Sequence, residues 1–135
     1  MNLLAELKAY LIANDFGTTA TVFTDFEPDA PNTLIAIHEY LGNTIPHIGV
    51  AERNIQINVR NINVATARTT AIGIYRLFAQ DEAGQDNEGG IINLTADRWI
   101  IPSPKQPPFK NGVMVNKYTR FTFNMGVLTT MKGET

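Results

Sequence analysis

Hydrophobic and polar positions alternate without a break from Arg53 to Arg60. Ile55, Ile57 and Val59 fall on one side, and Asn54, Gln56, Asn58 and Arg60 on the other. A period of two predicts a strand with one apolar and one polar face. From Val64 the period lengthens: Val64, Ala67, Ala71, Ile74, Tyr75 and Phe78 lie three or four apart, which is one face of a helix. Asn61 or Asn63 supplies the cap oxygen for its first free amide protons. Gly73, inside this helix, costs up to ~1 kcal/mol relative to alanine and points to a close contact there. The centre of the chain therefore predicts a strand running into an amphipathic helix.

The flanks supply further elements. Leu3, Leu4, Leu7, Tyr10 and Leu11 form a helical stripe, with Gly17 as an end signal beyond it. Residues 21–26 read as a short strand, and EPDAPN at 27–32 as a turn. TLIAIHEY at 33–40 is apolar on both sides and predicts a central strand covered on two faces. Residues 91–101 resume strand character through Ile92, Leu94 and Ala96. Phe121, Phe123, Met125 and Val127 alternate with Arg120, Thr122, Asn124 and Gly126 in a closing strand. Long flexible loops are expected at about 41–52, 81–90 and 102–117. The last of these contains PSPKQPPF, whose prolines lack the amide protons that a sheet needs.

Two amphipathic helices suffice to cover one face of such a sheet. The expected class is α+β, with one mixed or mainly antiparallel sheet and both helices packed on one face. A chain of 135 residues with 44% hydrophobic content is expected to form one domain, 1–135, with a substantial core. No apolar run is long enough to span a bilayer, and the N-terminus lacks a signal-peptide pattern, so a soluble protein made in a cytoplasm is expected.

Charge adds an asymmetry. The net charge is −2, yet residues 1–52 sum to −6, residues 53–104 balance, and residues 105–135 sum to +4. Complementary ends of this kind favour head-to-tail association of copies.

Candidate chemistry is sparse. Without cysteine, thiolate catalysis, disulfides and cysteine-based zinc sites are excluded. His38 and Glu39 are strand neighbours and point to opposite faces, so they do not share a metal ion with His47 without distortion. Ser103 is the sole serine and stands between prolines, without placed triad partners. The glycines near 89–90 sit in an acidic run that repels phosphate, and a sequence pI near 5.6 disfavours a free-standing nucleic-acid binder. No catalytic site, metal or cofactor is expected.

The order of segments carries more. A leucine helix is followed by EPDAPNTLIAIHEYLG, then by IQINVR entering a helix with spaced alanines. QPPF and the closing RFTFNMGVLTT come last. Over about residues 3–130 this resembles the minor capsid or tail terminator proteins of long-tailed bacteriophages. An acidic DEAGQDNEGG insertion and the segment KNGVMVNKY depart from that pattern.

The resemblance implies a virion protein at the head-proximal end of the tail, assembled in the host cytoplasm. It implies a six-membered ring that caps the tail tube, stops its elongation and offers a docking surface to the head–neck connector. DNA would pass through its centre without sequence-specific binding, and no membrane is involved. A head-closure or neck adaptor is the alternative, and a small metal-dependent enzyme using His38 and His47 is a third reading.

A ring needs two different patches on each copy. Expected interface residues are Glu27, Asp29 and Glu39 on one copy, approaching Lys117 or Arg120 on the next. The row Asn54, Gln56, Asn58 and Arg60 is a further candidate for the interface or the channel wall. Asp81, Glu82, Asp86 and Glu88 are expected to line the channel, where their negative charge would keep DNA from sticking.

Overall fold

A computed structural model describes residues 2–45, 50–79 and 91–130, with only the backbone of 41–45. Helix α1 runs Leu3–Ala13 and α2 runs Val64–Ala79. The strands are β1 (Val22–Thr24), β2 (Leu34–Ile45), β3 (Val50–Asn61), β4 (Ile92–Asn93), β5 (Trp99–Pro104), β6 (Phe109–Met114) and β7 (Tyr118–Thr130). They form one sheet in the order β1-β2-β3-β7-β5-β4, with β6 also paired to β7. Among the described residues only the β1–β2 pair is parallel. Thus β7 bonds β3 along one edge, while β5 and β6 share its other edge end to end.

The alternation read from sequence becomes a core. Cross-strand register sets Ile35 beside Val59 and Phe121, and Ile37 beside Ile57 and Phe123, all on one face. Leu3, Leu4, Leu7 and Leu11 of α1, and Ala67, Ala71, Ile74 and Phe78 of α2, are buried in the same cluster. Each large apolar side chain buried here contributes about 1.5–3 kcal/mol. The helices touch each other through Tyr10 and Phe78, whose ring centroids lie 5.9 Å apart. Both therefore cover one face of a single α+β sheet. Val64 departs from its expected stripe and is 43% exposed.

Local chemistry fixes the helix ends. Asn2 Oδ1 accepts from Ala5 N at 2.9 Å, and Asn63 Oδ1 accepts from Thr66 N at 3.0 Å. Asn61 Oδ1 in turn accepts from Asn63 N, so both asparagines shape the start of α2. Helix α1 stops before Gly17. The amides of Asp15 and Phe16 donate to the carbonyls of Ile12 and Leu11, and Asp15 adopts φ 67°. This is a Schellman ending with an aspartate in the left-handed position that glycine usually takes. Phe16 then lies over Gly73, where an added Cβ would meet its ring at 3.0 Å.

Four expectations are corrected. Residues 41–45 and 50–52 extend β2 and β3 rather than forming a loop. The stretch 91–101 is two strands, because Thr95 Oγ1 accepts from the amides of Asp97 and Arg98 and turns the chain between them. Residues 109–114 form β6, not part of a loop. The prolines also enter the sheet: Lys105 N donates to Asn124 O at 2.8 Å, so Ile101, Ser103 and Lys105 present their backbone groups to β7. Pro102 and Pro104 fall on the other phase, where β7 requires no amide proton.

An ion pair lies under the helices. Glu6 and Arg98 are 5% and 2% exposed, and Arg98 Nε donates to Glu6 Oε2 at 2.6 Å. Arg98 Nη1 also donates to the Thr130 carbonyl at 3.0 Å. The pair ties α1 to the strand-bearing segments 92 residues away.

Candidate assembly surface

Nine residues join the parallel strands β1 and β2, fewer than a helical crossover requires. The link stays short because β1 has only three residues, and it returns across the sheet face opposite the helices. There it meets Arg60. The guanidinium is 2% exposed and donates to the carbonyls of Pro28 (2.6 Å), Asp29 (2.9 Å) and Pro31 (2.8 Å). It also donates to Glu27 Oε2 at 3.2 Å and lies 3.9 Å from the Tyr118 ring centroid. A planar fork with fixed donors suits three carbonyls and a carboxylate at once.

Glu27 has a second partner. Arg120 Nε donates to the same carboxylate oxygen at 3.1 Å, and Arg120 Nη1 donates to Asn111 O of β6. One carboxylate thereby bridges adjacent β3 and β7 and latches the 25–33 link onto both. Beyond the latch, a ladder of neutral side chains continues across the same face. Thr122 donates to Asn58, Asn111 donates to Thr122, Asn58 donates to Gln56, and Gln56 donates to Asn124. Uncharged amides and hydroxyls satisfy one another here, so this face is held rigid without a helix above it.

A family model described as bacteriophage tail terminator protein matches residues 10–113, a span from within α1 to near the end of β6. The chain belongs to that tail terminator family. Its members are structural proteins of the phage tail. A search of curated proteins returns no match.

In this terminator-family chain, the residues singled out from sequence separate into three groups. Glu27 and Arg120 do meet, but within one chain, and Arg60 and Asn58 are buried among their own chain's groups. Glu39 pairs with Arg53 of the neighbouring strand at 2.5 Å. Asp29 and Lys117 are exposed, while Asn54 and Gln56 are half-buried on the open sheet face. Asp81, Glu82, Asp86 and Glu88 lie outside the described residues, as does His47. Among the described residues no group of three or more His, Asp or Glu side chains is arranged to hold a metal.

Two features of this chain escaped the sequence reading. The first is Arg60 as the anchor of the 25–33 link; its place in the polar row suggested only a surface role. The second is the Glu6–Arg98 pair. The second left a signal: Glu6 sits three residues after Leu3 on the flank of the leucine stripe, and Arg98 shares strand parity with the buried Ile100.

Proposed function

We propose that this chain ends the tail tube as a six-membered ring, stops its elongation, and presents a docking surface to the head–neck connector around a central DNA channel. Membership of the tail terminator family carries the reading. The charge distribution supports self-association: the first 52 residues sum to −6 and residues from 105 onward to +4. With Glu27, Arg60 and Arg120 engaged inside the chain, contacts between copies would draw on accessible groups such as Asp29, Glu39, Asn54, Gln56 and Lys117. Asp81, Glu82, Asp86 and Glu88 would face the passing DNA, where like charge prevents adhesion. The tube protein would meet one side of the ring and the connector the other, at the head-proximal end of the tail.

The test is loss of this protein in its own phage. Overlong tails lacking heads are expected. Tails of normal length that fail to join heads would overturn the terminator role and favour a neck adaptor.

A further inference from the structure

The chain carries an exposed apolar projection and, on the other side of β3, an open cleft of matching character. The projection is the β6–β7 hairpin tip: Val113, Met114 and Val115 are 60%, 46% and 78% exposed, with Ile62 beside them at 65%. A β-turn closes the tip through Lys117 N donating to Met114 O, with Asn116 at φ 63°. Three consecutive exposed apolar residues at a hydrogen-bonded turn are not required by the fold. They mark a contact surface rather than scattered surface residues.

The cleft has a volume of about 440 Å³ and opens between the end of α1, the β1–β2 edge and the first half of α2. Phe16, Leu34, Ile35 and Val59 contribute apolar lining, Thr69 and Thr70 line it from α2, and Asp15 lines it from the end of α1. The size lies within the usual range of about 300–1,000 Å³ for a site that receives a defined group. Gly73 matters here because any side chain at that position would meet the Phe16 ring and disturb the lining.

Charge selects the occupant. Lys117 flanks the tip and Asp15 flanks the cleft; both are exposed, and neither takes part in an ion pair among the described residues. We infer that the hairpin tip of one copy inserts Val113–Val115 into the α1–α2 cleft of the next, with Lys117 against Asp15. Tip and cleft are different patches on one chain, so the contact is heterologous and repeats from copy to copy. This inference rests on the ring reading above and names the contact between its subunits.

The absence of native cysteine permits a clean test. Val115→Cys and Thr69→Cys alter exposed positions and are combined in one chain, which is oxidised in solution and on tail tubes. Disulfide-linked multimers are expected from the double variant, and not from either single variant or from Val115→Cys paired with Ala9→Cys on the exposed side of α1. A second arm replaces Val115 by Asp. It should weaken association at least tenfold, as measured by sedimentation, and leave the unfolding midpoint unchanged. Multimers detected by native mass spectrometry without the Val115–Thr69 crosslink would overturn the tip-in-cleft contact and leave the ring intact. A chain that remains monomeric both alone and on tubes would overturn ring and contact together.

Discussion

Arg60 shows how much one side chain can hold. Its guanidinium serves three carbonyls, a carboxylate and an aromatic face while almost wholly buried. Arg60→Ala should lower stability by about 3 kcal/mol, because three carbonyls lose their charged donor and Glu27 is left with Arg120 alone. Arg60→Lys should recover part of this, since an ammonium group does not span the same acceptors. Urea unfolding measures both, and equal stability of the lysine variant and the parent would refute the importance of the fork geometry.

Glu6–Arg98 makes a different point at the same scale. Removing either partner strands the other inside the core, at about 3–5 kcal/mol. The double variant Glu6→Leu with Arg98→Met removes both charges and should lose less than either single replacement. A double loss equal to the sum of the single losses would show that the two groups act independently.

At the scale of elements, ends and phases decide more than propensity. Asn63→Ala removes the oxygen that caps Thr66 N and should cost about 1 kcal/mol. Thermal unfolding of the full chain is the measurement, and an unchanged midpoint would mean water replaces the cap without loss. The proline strand gives a phase test. Pro104→Ala should be nearly neutral, whereas Ser103→Pro removes an amide that faces β7 and should destabilise clearly. Equal effects at the two positions would show that the strand phase is misassigned. Proline content alone argued for a loop here; which neighbour each residue faces could be seen only once β7 lay alongside. The same limit applies to residues 91–101, where an apparent alternation spans a turn made by Thr95.

At the scale of the molecule, charge separation along the chain acquires a geometry. Part of it is neutralised internally, as Glu27 bridges Arg60 and Arg120 and Glu39 meets Arg53. In the proposed ring, contacts between copies would draw on what is left over, Lys117 and Asp15 first. Raising salt from 0.1 M to 1 M shortens the screening length from about 10 Å to about 3 Å and should weaken association of the parent chain. The double variant Asp15→Asn with Lys117→Gln should associate more weakly at low salt and respond little to further salt. Sedimentation equilibrium would measure both, and identical salt dependence in parent and variant would rule out that pair.

The amino-acid sequence alone determined the elements whose signal is local. Periods of two and three to four fixed the central strand, both helices and the closing strand. They also fixed which side of each faces the apolar core, because side-chain direction follows from backbone geometry, but not that Asn58, Arg60 and Thr122 on the polar side are buried as well. The order of those elements was enough to suggest the tail terminator family. Tertiary structure decided the rest. Whether Arg60 faces water, another copy or its own chain depends on a link 30 residues away folding back across it. Whether Glu27 is free for a neighbour depends on Arg120, which is 93 residues away in sequence and one strand away in space. Long-range partners of this kind leave no periodicity, since the sheet register that joins them is set by the whole core and not by either segment.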